Sequence, residues 1–504
     1  MNGVDNKERN KKNIFIGFVL IYTAVLFYLC SQLNVSLDET CSLNTTSKGL
    51  SYAIQQSYNF EGQPPLYFAL LSLWRAINSD ILFARLFSVL FVGLGAFVFY
   101  KLVHLVSDTN YSKWLVMLFL LNPFTISTAT DIRLYAFLLF LSLVSIYSFF
   151  KFYIEQKNIY LFIFVITGIA GLYTQYLYVF LFGSLGIALL IFKGWKLFFK
   201  FCLYSIPVGL LFLYNTLFKS NPMDLALINS FSTSITERIV TALHSPQNLI
   251  LALNLIPFER MIRWTVLGVF ILLYVYTYFK WHKRDKIADR QYFEMFNVIL
   301  VTGIFLMLLI SFFFAVTGLD YYDRYAVIAF PFFISAFLLF KSHSLFSRRI
   351  IFAIICLYYI LLSISTYRYS VKEYDQLALA KYITAIENKD EPILFYQKMI
   401  SLPFNYYYKG NNRIVPLPDS LKFDSTYFLK IKDTIELKQI IQKINIASKS
   451  YLLISDKAEK RFHDDADIKM INGYLSSHYN ITLDTLFYGN SPKLFLRVRR
   501  LEKK

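Results

Sequence analysis

The chain has 504 residues, 56% hydrophobic, 19% aromatic and 17% charged, with a formal net charge of +18. A soluble domain is about a quarter charged; here the apolar residues fall in blocks of roughly 17–25, long enough to cross a bilayer, which excludes a soluble fold. The basic excess does not point to nucleic acid, because it gathers at alternate ends of those blocks: Lys7, Arg9, Lys11 and Lys12; Lys151 and Lys157; Lys193, Lys196 and Lys200; Lys280 to Arg290; Lys341, Arg348 and Arg349. That positive-inside pattern predicts a cytoplasmic N-terminus.

The first apolar run, from Ile14 to Cys30, follows "KERNKK". It is too long for a signal-peptide core and has no small-x-small site after it, so it reads as a retained signal anchor. About eleven spans are predicted, near residues 14–31, 81–104, 113–130, 134–154, 159–175, 176–192, 200–218, 263–280, 293–316, 325–341 and 350–366. An odd number carries the C-terminal tail to the outer side. The outward segments are then 32–80, short turns at 130–133 and 173–175, 219–262 and 318–324.

After Tyr367 the pattern changes. "KEYDQLALAKYITAIENKD", "TIELKQIIQKI" and "DIKMINGYLSSHY" read as helices, and "EPILFYQ", "SYLLIS", "ITLDTLFYG" and "KLFLRVRR" as strands. Such alternation predicts a small α/β domain. The expected architecture is therefore an α-helical polytopic membrane domain over 1–366 and a small extracytoplasmic α/β domain over 367–504. Gly93 and Gly95 in "VGLGAF" follow no strand and make no nucleotide-binding fingerprint. Cys30, Cys41, Cys202 and Cys356 lie far apart, and only Cys30 with Cys41 could pair on the outer face.

Charge left in hydrocarbon costs roughly 2.5–3.5 kcal/mol on insertion scales, so polar groups at the outward ends of spans are informative. Four such groups fall on one side. Asp38 and Glu39 stand in "LNVSLDETCSLNTT", just past the first span; Glu61, Gln63, Pro64 and Pro65 stand in "NFEGQPPLYF". In "TATDIRLYAF", Asp131 and Arg133 are two apart and face apart on a helix, whereas in an extended turn Asp131, Arg133 and Tyr135 would point one way. In "GLDYYDRYAVIAFP", Asp320 and Arg324 could pair at helical spacing, or Arg324 could offer its fork of donors to a phosphate beside Tyr325. Each has an ordinary alternative: a solvated loop pair, a helix start, or an interfacial anchor with Arg snorkelling and Tyr at headgroup level.

In the order of these landmarks, with "ARLFSVLFVGL" and "NPFTISTATDIRLYAF" between them, the first 370 or so residues resemble the multispanning glycosyltransferases that use polyprenyl-phosphate sugars. This is the GT-C group of protein O-mannosyltransferases, aminoarabinose–lipid A transferases and rhizobial lipopolysaccharide glycosyltransferases. The resemblance implies an inverting transfer from a polyprenyl-phosphate sugar to a glycolipid, glycan or protein hydroxyl, at the periplasmic face of a bacterial inner membrane. Under it, Asp38 becomes the general base, and Glu39 its orienting partner or a metal ligand. Asp131 is a second acid, and Arg133 and Arg324, with Tyr135 and Tyr325, clamp the lipid phosphate. Gln63 and Gln175 would line the groove, although many relatives carry His where this chain has Gln175 in "YTQYLY". A divalent metal stays open, with Glu61 and His244 as its candidate ligands. Chemistry agrees: an acceptor hydroxyl needs a base, and a departing lipid phosphate needs cations.

Rival readings are a flippase for lipid-linked glycans, an outer-face glycan polymerase or ligase, and a surface-binding protein that works through its C-terminal domain. The first predicts inverted repeats and charges at the midplane, and neither stands out here.

Overall fold

The computed structural model describes residues 2–218, 234–255, 260–282, 287–319, 321–368, 371–396, 398–418, 431, 433–443, 450–456, 465–489 and 495–504. Asp320, and with it the proposed local pair to Arg324, lies outside them. Among the described residues seven helices are long and apolar enough to cross a membrane: Phe15–Gln32, Ile81–His104, Tyr135–Glu155, Tyr176–Lys193, Trp195–Tyr214, Tyr292–Thr317 and Leu345–Tyr367. Of the other four predicted spans, Asn158–Leu172 is a shorter apolar helix, and 263–280 falls within the helix Arg260–His282, whose apolar stretch is Trp264–Phe279. The segment near 325–341 alternates 3-10 and α turns, from Asp323–Ile328 through Phe330–Ile334 to Ser335–Ser342.

The break in the fourth has a local cause. The apolar run over 113–130 divides into Thr109–Leu121 and Pro123–Thr130 because Pro123 has no amide to continue the first helix and is well suited to open the second. Asn122 caps the new helix by accepting from the Phe124 amide at 2.8 Å, and its own amide donates to the Leu249 carbonyl at 2.9 Å. That second bond ties the break to the helix Ile235–Leu251, which lies in the segment predicted as a long outward loop.

Ile81–His104 packs along Tyr135–Glu155, and that helix along Asn158–Leu172. Phe149, Phe164, Phe182 and Phe201 interlock where these helices meet the next pair, with Phe164 and Phe182 centroids 4.3 Å apart. Close approach there depends on glycine. A Cβ on Gly171 would lie 2.5 Å from the Tyr178 ring, which is fully buried and anchored by its hydroxyl to Ser145 at 2.8 Å.

Between the first two spans the chain folds into three short helices, Leu37–Thr45, Leu50–Asn59 and Leu66–Arg75. The turn before the third is made by Gly62 at φ 61°, directly after Glu61, a conformation that disfavours other residues.

Beyond Tyr367 a five-stranded sheet forms: β1 (Ile393–Tyr396), β2 (Ile414–Leu417), β3 (Ser450–Asp456), β4 (Tyr479–Tyr488) and β5 (Phe495–Lys503), in the order β2-β1-β3-β5-β4. β1 runs parallel to both β2 and β3, while β5 is antiparallel to β3 and β4. The predicted strands appear in it. β2 was not expected, because "IVPL" is short and contains a proline; as an edge strand it tolerates that proline.

This unit grips the loop between the first two spans. Asn34 donates to the Tyr374 carbonyl at 2.6 Å and accepts from the Lys372 amide at 2.7 Å. The Val35 amide donates to the Tyr407 hydroxyl at 2.7 Å. The strap 371–375 and the helix Ser401–Tyr407 therefore hold the chain that leads into Leu37–Thr45.

Gly171→Ala should cost about 1–3 kcal/mol, as overpacking of a filled core does. The check is a lowered thermal midpoint of the detergent-purified protein; an unchanged midpoint would mean that the Tyr178 ring moves freely.

Candidate active site

The helix Leu37–Thr45 opens with a capping box: Ser36 accepts from the Glu39 amide at 3.3 Å, and the Glu39 carboxylate accepts from the Ser36 amide at 3.0 Å. Such a box fixes the first turn, and Asp38 sits inside it. Glu39 itself is fully buried. Its carboxylate takes a two-pronged contact from Arg85, at 2.9 and 2.8 Å, an ion pair from Lys372 at 2.8 Å, and the Ile132 amide at 3.2 Å. Arg85 also donates to the carbonyls of Cys30, Leu33 and Asn34 at 2.7, 2.7 and 2.9 Å. One carboxylate thus joins the end of the first span, the start of the second, the turn at 132 and the strap.

Burial alone would raise the Glu39 pKa, but Lys372 and Arg85 outweigh it and bring it down to about 2. Its contribution to stability is thus complete above about pH 4.5 and is lost as pH falls toward 2. With its oxygens shared among these donors, Glu39 is engaged in holding the fold, and the structure gives it no bond to the Asp38 side chain.

Asp38 is different. Its carboxylate is a third exposed (32%) and is paired with Arg324, which comes from the 3-10 turn Asp323–Ile328. Burial pushes its pKa up, while the Arg324 and Arg133 guanidiniums pull it down further, so it is held below the usual carboxylate range and ionised at neutral pH. Arg324 lies over the rings of Tyr322 and Tyr135, at 5.0 and 5.9 Å from their centroids. Tyr325 stacks on Phe314 at 5.3 Å and supports the same turn. The turn is latched from below: Asn248, on the helix Ile235–Leu251, donates to the Asp323 carboxylate at 2.9 Å, and Ser245 bonds its other oxygen.

Asp131, Arg133 and Tyr135 do not share one partner. Asp131 accepts from Lys372 at 2.6 Å, Tyr135 faces Arg324, and Arg133 bonds Glu61 at 3.0 Å, Ser42 at 3.1 Å and the Asp38 carbonyl at 3.3 Å. Glu61 also accepts from Thr45 at 3.2 Å; burial raises its pKa more than Arg133 lowers it. The Nε atoms of Arg133 and Arg324 are buried without a hydrogen-bond partner, so each guanidinium retains donor capacity. Tyr67, fully buried near Arg133 and Glu61, also has an unpartnered hydroxyl. The Leu66 amide donates to the Tyr173 carbonyl at 2.9 Å and brings the segment of Gln63 beside that of Gln175. Gln175 is buried with its Oε1 unpartnered.

The metal reading fits less well. Glu61 is bonded to Arg133, and His244 to Gln247 and the edge of Trp264. Among the described residues no group of three His, Cys, Asp or Glu side chains is placed to hold an ion. Cys30 and Cys41 are both buried and are not joined in a disulfide.

Sequence reasoning overlooked Arg85, Lys372 and Glu373. An arginine near the outward end of an apolar span is a functional signal by default, and Arg85 carried it. Lys372 and Glu373 open what reads as an amphipathic helix, and nothing local marks them.

Arg85→Leu should cost about 3–5 kcal/mol, because it strips a buried carboxylate of its two-pronged partner. The expected readout is loss of monodisperse protein on size exclusion in detergent, worst above pH 5. Parent-like behaviour would show that Lys372 suffices for Glu39.

No family model matches the sequence, and no curated protein matches it by sequence. Solved structures do match by fold. ArnT from Cupriavidus metallidurans bound to undecaprenyl phosphate superposes with a TM-score of 0.55 at 11% identity, covering 96% of this chain and 97% of that one. Its apo state gives 0.54 at 11% identity, covering 96% and 98%. The Archaeoglobus fulgidus oligosaccharyltransferase gives 0.44 at 10% identity, covering 87% of this chain and 69% of that one. The chain therefore has the ArnT-like fold expected from its landmarks, a polytopic helical membrane part followed by a small C-terminal sheet unit, along nearly the whole length of both chains.

Proposed function

We propose that this protein is an integral membrane glycosyltransferase that moves a sugar, with inversion, from a polyprenyl-phosphate donor to an acceptor hydroxyl on a glycolipid, glycan or protein. The observation that carries the reading is the pair formed by Asp38 and Arg324 across nearly the whole membrane part of the sequence, with Arg133 beside it. It is an acid kept ionised next to two arginines that retain unused donors. The likeness in fold to an ArnT solved with undecaprenyl phosphate supports a lipid-borne donor.

In this mechanism the phosphate of the donor takes up the free donors of Arg324 and Arg133. Arg324 turns part of its fork from Asp38 to the phosphate, which leaves the Asp38 carboxylate less neutralised and more basic. Asp38 then removes the proton of the acceptor hydroxyl as that oxygen attacks the anomeric carbon from the face opposite the phosphate. The bond from carbon to phosphate oxygen breaks with its electron pair on the lipid phosphate, and the two guanidiniums stabilise that charge. No step is assigned to a metal. The charge pattern of the loops supports a site and C-terminal unit on the side away from the cytoplasm, which the family resemblance makes the periplasmic face of a bacterial inner membrane.

Asp38→Asn should lower transfer by about 10²–10⁴-fold, the usual worth of a positioned base, with insertion and yield unchanged. Transfer of labelled sugar from polyprenyl phosphate by purified protein measures this, and retained activity removes Asp38 from the mechanism. Arg324→Ala should raise the KM for the donor by roughly 10–100-fold, the worth of a charged hydrogen bond. It should also move the acid limb of the pH profile upward, since burial then acts on Asp38 with one cation fewer. An unchanged donor KM would reduce Arg324 to an anchor.

A further inference from the structure

Asp38, Glu39, Glu61 and Asp131 each have a cation in bonding contact. Glu373, on the strap, has no such contact among the described residues. Half-buried between the last span and the sheet unit, it accepts one bond from the Leu37 amide at 3.3 Å. Leu37 is the residue before Asp38, and the Asp38 carboxylate is among the charges that act on Glu373. The strap has little freedom to swing away. Lys372 on one side is bonded to Glu39, Asp131 and the Thr130 carbonyl, and Tyr374 on the other to Asn34. Gly489, at the end of β4, lies so close to the Glu373 carbonyl that a Cβ there would fall 1.9 Å from it.

We infer that Glu373 is a proton relay for Asp38: the C-terminal unit supplies the group that takes the acceptor's proton from the base and passes it to water, so that the base is ionised for the next turnover. This rests on the reading of Asp38 as the base. In this proposal the seated donor and acceptor cover the exposed part of Asp38, and the strap is its neighbour through Leu37. In the transfer step the acceptor O–H bond breaks and the proton goes to the Asp38 carboxylate, while the leaving electron pair stays on the lipid phosphate. The proton then moves from Asp38 to the Glu373 carboxylate and on to solvent, leaving both acids ionised. Nothing is oxidised or reduced, and water is the only other participant.

The charges around Glu373 suit that task. Burial and the neighbouring Asp38 carboxylate raise its pKa, Asp131 adds to the rise, and the Leu37 amide and Arg324 oppose it, so that it titrates at about 7. The relay is therefore open when Glu373 is ionised, above about pH 7, and filled below it.

Glu373→Gln tests the inference, because glutamine can still accept from the Leu37 amide but cannot carry a proton onward. The expected result is a steady-state kcat about 10-fold lower above pH 8, converging on the parent below pH 6, with the KM for the lipid donor unchanged. Single-turnover transfer should be normal, since one turnover needs no reset. Glu373→Asp should recover part of the loss. A Gln variant that matches the parent across the pH range would make Glu373 a helix cap and overturn the relay. A raised donor KM would make it a binding contact and overturn it equally. Asp38→Asn run beside it separates the two readings: if that variant is active, the base assignment fails; if it is dead and Glu373→Gln is normal, only the relay fails.

Discussion

The arrangement rests on one buried carboxylate. Glu39 has no exposure to water and is held by two cations from opposite ends of the chain, Arg85 on the second span and Lys372 beyond the last. A buried ion pair adds little stability over an apolar alternative, but breaking it by removing one partner is costly. What it does is join the first span, the second span, the turn at 130–133 and the strap at the start of the helix Leu37–Thr45. Asp38 inherits that placement by being the neighbouring residue.

Placement by a neighbour explains why two adjacent acids have opposite fates. On the first turn of a helix, residues 38 and 39 point about a quarter-turn apart. Glu39 turns inward to its capping box and cations, while Asp38 turns to the partly open side where Arg324 and the tyrosines stand. The rigid contacts go to Glu39, while Asp38 is paired with Arg324, whose Nε has no hydrogen-bond partner. Arg133 is intermediate. Three oxygens of the first loop hold it, with its Nε left over.

Much of this was legible in the sequence, and the parts that were not have a common cause. The apolar blocks, the switch of pattern after Tyr367 and the outward polar groups follow from local periodicity and charge, which a sequence displays directly. Pairings across hundreds of residues do not. For Arg324 the sequence offers a local partner, Asp320, or a bound phosphate, and neither points to Asp38, 286 residues distant, with which the structure pairs it. Asp131, Arg133 and Tyr135 face apart on a helix or point one way in an extended turn; in the structure each has its own partner, because the residues around that turn come from three other segments. Lys372 and Glu373 carry no local mark. Their significance comes from the strap crossing the first loop, a tertiary event.

The sheet unit accordingly looks less like an appendage than like the second wall of the site, through Lys372, Tyr374 and Tyr407. The central claim remains the nature of the donor. Its most direct measurement is to give the purified protein a panel of sugars radiolabelled on polyprenyl phosphate, with a matching panel of nucleotide sugars, and to follow which label leaves its carrier. The account predicts that label leaves a polyprenyl phosphate, that free polyprenyl phosphate accumulates, and that no nucleotide sugar is consumed. Turnover of a nucleotide sugar with every lipid-linked sugar left intact would contradict it.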